Sequence, residues 1–141
     1  MPKTLEIRFY SKNDYSAIER IMKDGGYYYQ NMDSKELIDS QIDIDPKSLL
    51  VAEESAEVVG TVTIMENGRF AFIFRLAVHK KSRARGVGSL LIEAAEEELK
   101  SRGIKTVFNL VEDSKNDLHS FYERRGYSEG IPHRWKVKSL G

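Results

Sequence analysis

Cysteine is absent from this sequence, and proline occurs only three times in 141 residues. Without cysteine there is no disulfide framework, no thiolate nucleophile and no cysteine-ligated zinc, and a reducing compartment suits the chain. Net charge is also missing: 22 basic residues cancel 22 acidic ones, so no global field draws nucleic acid or an anionic membrane. The most apolar run, Phe70–Val78, is short and broken by Arg75, so no bilayer-spanning segment is expected. Met1–Ile7 lacks the apolar stretch of a secretory leader. His79, His119 and His133 share no metal-ligand spacing with a carboxylate, so no metal site is expected. The length predicts a single domain over residues 1–141, and the chain is expected to be cytoplasmic, a monomer or homodimer, with neither nucleic acid nor membrane as partner.

What is present is well patterned. Leu5, Ile7 and Phe9 alternate with polar residues as in a half-buried strand. Ser11 with Asp14 makes a capping box for a helix carrying Tyr15, Ile18, Ile21 and Met22, and Gly25-Gly26 stops it. Residues Tyr27–Asn31 read as a loop. A second helix runs from Ser34 to about Gln41, with Leu37 and Ile38 inward and Pro46 closing the segment. Strands Leu49–Glu53, Val58–Met65 and Arg69–Val78 follow, the last two joined by the hairpin signal Asn67-Gly68. After the basic loop His79–Gly88 comes a helix over Ser89–Arg102. Val87, Leu91, Ala95 and Leu99 form its apolar stripe, and Gly103 stands past its end.

Lys105–Val111 predicts another strand. Ser114 with Asp117 predicts a second capping box, opening a helix that carries Leu118, Phe121 and Tyr122 and ends at Gly126. A short strand near Tyr127 and a last one over Arg134–Lys138, with Trp135 and Val137 in the core, finish the chain. The order β-α-α-β-β-β-α-β-α-β-β describes a single α+β (mixed α/β) sheet flanked by helices.

The most informative stretch is the loop from Val78 through Arg83, Ala84, Arg85, Gly86 and Val87 to Gly88. It lies between a strand and a helix, where unpaired backbone N–H groups and the helix dipole suit a phosphate. Gly86 and Gly88 allow close backbone approach, and Lys80, Lys81, Arg83 and Arg85 add positive charge. The bland alternative is a basic solvated turn capping a helix. No lysine follows Gly88, which excludes a Walker loop. Leu91 stands where a dinucleotide fingerprint needs its third glycine.

The pattern Arg83-x-x-Gly86-x-Gly88, with its Leu76-Ala77-Val78-His79 lead-in and Leu90-Leu91 follow-on, resembles the acyl-CoA loop of the GNAT (Gcn5-related N-acetyltransferase) superfamily. Asn116 ahead of Phe121-Tyr122-Glu123-Arg124-Arg125-Gly126-Tyr127 is similar to the later signature of the same family. The resemblance implies a mostly antiparallel sheet whose strands splay around pantetheine, acetyl-CoA as cofactor, and acetyl transfer to a primary amine of a small molecule, protein or peptide. It implies that the backbones of Leu76, Ala77 and Val78 pair with pantetheine, with the Leu76 N–H facing the thioester oxygen. Amides of Arg83, Ala84, Arg85, Gly86, Val87, Gly88 and Ser89 would hold the pyrophosphate. Asn116 would touch the cofactor arm, and Tyr122 would protonate the leaving thiolate or else serve as a core aromatic. Ala84 stands where glycine is common in the family, which implies a conformation open to other residues.

A lysine-like amine is only about 0.04% neutral at pH 7, so a base matters. Some family members carry a glutamate on the strand before the loop, whereas Phe70–Val78 has no carboxylate. Glu112 or Asp113 offers a base at the end of the next strand, directly or through water, unless each is a solvated strand-end carboxylate. Without a cysteine the amine is expected to attack directly in a ternary complex. Tyr27-Tyr28-Tyr29 lies where the family builds its acceptor wall. Asp33, Glu36, Asp39, Asp43 and Asp45 bias that region toward a cationic acceptor, unless they are only a polar face beside one packed tyrosine. The alternative function is a catalytically silent acyl-CoA-binding module or sensor, motivated by the missing strand carboxylate.

Overall fold

Leu49–Glu54 (β2) and Glu57–Glu66 (β3) are buried at nearly every position rather than alternately, because helices cover both faces of the sheet they form. In the computed structural model, which describes residues 4–141, part of Met1–Ile7 lies outside the described residues. The chain divides into two units, one reaching Asn109 and one spanning Leu110–Gly141.

The first unit holds an antiparallel four-stranded sheet in the order β1-β2-β3-β4, with β1 at Leu5–Phe9 and β4 at Ala71–Val78. Helix α1 (Tyr15–Gly25) packs on one face, where Ile18, Ile21 and Met22 join Leu49, Val51 and Ala77 in one core. Asp14 reaches back to the Ser11 N–H (2.8 Å), and Gly26, at φ 79°, ends the helix. The stretch Tyr27–Asn31 is not wholly loop: Gln30–Asp33 forms a single turn, α2, which starts as the Asp33 carboxylate accepts the Tyr29 N–H (2.8 Å). Helix α3 (Lys35–Ile44) is capped by the Ser34 hydroxyl, which accepts from the Leu37 N–H (3.3 Å). Its inward residues are Ile38 and Ile42. Leu37, expected inward, is 45% exposed because it falls one position off that stripe.

On the other face lies α4 (Val87–Ser101), burying Val87, Leu91, Ile92, Ala95 and Leu99. Its last turn closes through the Gly103 N–H to Lys100 and the Ile104 N–H to Leu99, the pairing that a C′ glycine permits. The strand expected over Lys105–Val111 contracts, within residues 105–109, to one parallel bridge. Phe108 donates to the Ala71 carbonyl (2.9 Å) and accepts from the Ile73 N–H (3.0 Å). No helix among the described residues is long and apolar enough to cross a membrane.

The second unit contains α5 (Asn116–Glu123). The capping box expected from Ser114 and Asp117 does not form: Lys115 is the N-cap residue, and the Ser114 hydroxyl donates to Glu112 instead (3.1 Å). Neither the strand near Tyr127 nor that over Arg134–Lys138 is present, and Trp135 and Val137 are exposed rather than core. Their alternation supplies an apolar face, but this unit has no strand to pair with, and a lone strand does not hold.

Candidate active site

The site begins with a defect in the sheet. Thr61 pairs with Ala77 and Thr63 with Phe74, so Arg75 and Leu76 together oppose Val62. This β-bulge holds Arg75 at φ 58°, a left-handed conformation costing about 1–3 kcal/mol for a non-glycine residue. Leu76 is the second residue of the bulge, and Ala77 and Val78 re-enter the ladder opposite Thr61 and Gly60. Since the pairing of residues 105–109 with β4 is confined to the Phe72–Phe108 bridge, that segment leaves the β4 edge over Phe74–Val78 unpaired.

From β4 the chain enters a 3-10 turn, Lys80–Ser82, and then the loop. Ala84, expected in a conformation open to any residue, lies at φ 62°. It takes the left-handed geometry itself, so the strain that a glycine would avoid is present. Gly86 follows at φ 82° as the N-cap of α4, and no side chain caps the helix. The Leu90 N–H bonds to the Gly86 carbonyl (3.1 Å), which leaves the first-turn amides of Val87 and Gly88 without an intrahelical acceptor. A Cβ added at Gly86 would meet nothing within 4 Å, so there is open space beside the helix start at that position. Val87 itself is 1% exposed and pins the turn to the core. This donor set fits a diphosphate.

Gly60 of β3, which sequence patterning passed over, sets the depth of α4. Its missing Cβ would lie 3.0 Å from Leu91 Cδ1, 3.1 Å from Val87 Cγ1 and 3.3 Å from the Ala77 carbonyl oxygen. Helix α4 and strand β4 therefore meet over a glycine.

The two arginines of the loop are anchored. Arg85 makes a two-pronged contact with Glu54, Nη1 to Oε1 at 3.2 Å and Nη2 to Oε2 at 2.9 Å. The Glu54 side chain is 6% exposed, and the Ser82 hydroxyl lies against it (3.5 Å). Arg83 donates from Nε to the Val78 carbonyl (3.0 Å) and from Nη2 to the Tyr27 hydroxyl (3.0 Å). Arg75 donates from Nη2 to the Tyr27 carbonyl (2.7 Å) and pairs with the buried Asp33. Its guanidinium also lies over the Tyr29 ring, 5.7 Å from the centroid. Glu54 and Arg75 carried a signal in the sequence, since a charge within a buried strand requires a partner. Neither partner was legible.

The acidic residues of the α2–α3 region are also engaged. Besides Asp33 with Arg75, Asp39 pairs with Lys35, Asp43 with Lys12 and Asp45 with Arg102, while Glu36 stands outside these pairs. No group of three potential ligands that would hold a metal occurs among the described residues.

In the second unit, Asn116 is the first residue of α5, and Tyr122 lies on its last turn between the rings of Phe121 and Tyr127, both edge-on. The Tyr122 carbonyl accepts from the amides of Arg125 (2.9 Å) and Tyr127 (3.1 Å), so its backbone is fixed by the chain that follows. Glu112 is exposed, with the Ser114 hydroxyl and, at 3.9 Å, Lys115 beside it.

Comparison with known proteins bears on the family and the fold. Residues 15–127 match the model of the Acetyltransferase (GNAT) family. An acetyltransferase of Pectobacterium atrosepticum is 28% identical over 123 residues, 87% of each chain. Among solved structures, Ard1 from Thermoplasma volcanium superposes with a TM-score of 0.81 at 24% identity, covering 90% of this chain and 84% of its own. The PaiA N-acetyltransferase of Thermoplasma acidophilum, solved with coenzyme A, gives 0.77 at 20% identity, covering 86% and 88%. At these identities the two structures establish the fold. The match of the family model over most of the sequence goes further, and the chain belongs to the GNAT acetyltransferase family.

Proposed function

We propose that the protein is an N-acetyltransferase that moves the acetyl group of acetyl-CoA to a primary amine by direct attack in a ternary complex. The observation that carries this reading is the juxtaposition of a bulged strand edge over Arg75–Val78 with an uncapped helix start at Gly86. One offers backbone partners to an extended arm, the other amides to a diphosphate. Acetyl-CoA supplies the activated thioester. The chain's own work is to hold it through the amides of Arg83–Ser89 and the backbone of Leu76–Val78. The Leu76 N–H faces the thioester oxygen, where charge grows in the transition state. In this reading Asn116 touches the cofactor arm, the Tyr122 hydroxyl delivers a proton to the departing sulfur, and Glu112 takes one from the amine, directly or through water.

The acceptor is a primary amine, of a small molecule or a peptide, that is cationic in solution and sheds its proton before attack. The ion pairs of Asp33, Asp39, Asp43 and Asp45 mean that recognition of its charge falls to Glu36 and the Tyr27–Tyr29 segment.

A second reading is favoured by one observation: Arg75, a cation, is the only charged residue on β4, where an activating carboxylate would serve. On that reading the protein binds acyl-CoA without turnover. Thiol release from acetyl-CoA across a panel of polyamines, lysine and short peptides separates the two. Tyr122→Phe is expected to keep the Kd for acetyl-CoA while kcat falls about 10²-fold. Tight binding with no turnover for any amine would support the silent module, and full activity in the variant would remove Tyr122 from the mechanism.

A further inference from the structure

We infer that Tyr27 is a positioning residue that ties the cofactor loop to the acceptor-side segment Tyr27–Asp33, so that binding of acetyl-CoA orders that segment. The inference rests on the cofactor site proposed above. Tyr27 touches both ends of this proposed cofactor edge. Its carbonyl accepts from Arg75 Nη2 at the bulge (2.7 Å), and its hydroxyl accepts from Arg83 Nη2 in the loop (3.0 Å). Arg83 is itself held at the end of β4 by its Nε bond to the Val78 carbonyl. The far end of the segment hangs from the same strand: Asp33, 4% exposed, pairs with Arg75 and accepts the Tyr29 N–H.

The local sequence is built for this contact. A Cβ at Gly25 would lie 2.5 Å from Tyr27 Cε2 and 2.8 Å from its hydroxyl oxygen, so the ring reaches Arg83 only by lying across a glycine. Gly26, left-handed at φ 79°, turns the chain so that the Tyr27 N–H bonds back to Met22 (2.9 Å). A ligand that fixes the loop backbone at Arg83 thereby fixes the guanidinium, and through it the phenol and the segment that follows. Stability of such a segment is local, and amide exchange reads its opening directly.

The test is hydrogen–deuterium exchange over residues 27–33 with and without saturating acetyl-CoA, alongside calorimetric Kd and a thermal melt of each variant. In the wild type acetyl-CoA is expected to slow exchange in this segment about fivefold or more, the lower end of ordinary coupling between sites. Tyr27→Phe keeps the ring and removes the bond. It is expected to lose most of that slowing and to leave the unliganded melting point unchanged. Arg83→Gln, which also gives up the bond to the Val78 carbonyl, should lose that slowing too, and the double variant should lose no more of it than Arg83→Gln alone, as for two ends of one contact. Gly25→Ala, which displaces the ring without altering the phenol, provides an independent arm. A wild type that binds acetyl-CoA without slowing, or a Tyr27→Phe variant that keeps the wild-type slowing, overturns the coupling and leaves the cofactor reading intact. Absence of calorimetric binding to the wild type overturns the cofactor reading and the coupling with it.

Discussion

Replacing Gly60 by alanine tests whether the seat of α4 on the sheet beside β4 is as tight as the geometry says. The new methyl carbon would lie 3.0 Å from Leu91 Cδ1, 3.1 Å from Val87 Cγ1 and 3.3 Å from the Ala77 carbonyl oxygen, so each neighbour must yield by a few tenths of an ångström. Val87 and Leu91 are 1% and 0% exposed and have nowhere to turn, and the carbonyl belongs to β4. Overpacking of a filled core costs about 1–3 kcal/mol. Alanine recovers about 0.4–1 kcal/mol by narrowing the unfolded ensemble. The net expectation is a loss of roughly 0.5–2 kcal/mol, read as a lower urea midpoint at unchanged m-value. Because Val87 is the first residue of α4, the shift carries into the first turn, and on the proposed reading Kd for acetyl-CoA should weaken measurably. Gly130→Ala, where an added Cβ meets nothing, is the control and should stay within about 0.5 kcal/mol. A Gly60→Ala protein as stable as the wild type, with the same Kd, would refute the claim that this glycine sets the helix depth.

Gly25→Ala should separate stability from function: the helical residue gains about 0.8–1 kcal/mol of propensity, while the Tyr27 ring swings off Arg83. A raised melting point with weaker acetyl-CoA-linked ordering of residues 27–33 is the expected pair of results. Hydrogen bonds from Arg102 hold the Asp45 carboxyl below the usual carboxylate range. A depressed folded value stabilises above the unfolded value of about 3.9, and that stability is lost as pH falls through the folded one. Asp45→Asn should therefore cost about 1 kcal/mol at pH 7, where the partly exposed pair is screened by water, and should flatten the acid limb of the stability curve measured by urea titration below about pH 4.

The features legible beforehand were those encoded within a few residues. The alternation of Leu5, Ile7 and Phe9, the stripe Val87–Leu91–Ala95–Leu99, and the stops at Gly25-Gly26 and Gly103 each reflect one element's own period or end. Strand pairing is not local, and here the reading failed. Lys105–Val111 has the composition of a strand but, within residues 105–109, a partner only at Phe108. Trp135 and Val137 alternate with no ladder to join. Ser114 fits a cap but finds Glu112 nearer. At the site, the loop and the strand before it were readable as a motif. Their supports were not, because Arg75 finds Tyr27 and Asp33 48 and 42 residues away, and Arg85 finds Glu54 at 31.

Those supports change what the basic loop means. Lys80, Lys81, Arg83 and Arg85 together suggest a field aimed at phosphate, but Arg85 is matched by a buried carboxylate, and Arg83 spends two donors on neutral oxygens of the protein itself. The same economy holds at the bulge, where the Arg75 guanidinium serves Asp33 and Tyr27 while its backbone carries left-handed strain. Glycine at position 75 would remove the strain and also the anchor. The arginine is favoured only if its bonds are worth more than the roughly 1–3 kcal/mol that such a conformation costs. A partly buried charged hydrogen bond contributes about 1.5–3 kcal/mol, and Arg75 makes one to a carboxylate and another to a carbonyl, so the balance falls on the side of the side chain. Shape at this site is thus imposed by arginines acting as ties between distant segments. On the proposed reading, recognition of phosphate falls chiefly to backbone amides, whose direction those ties maintain.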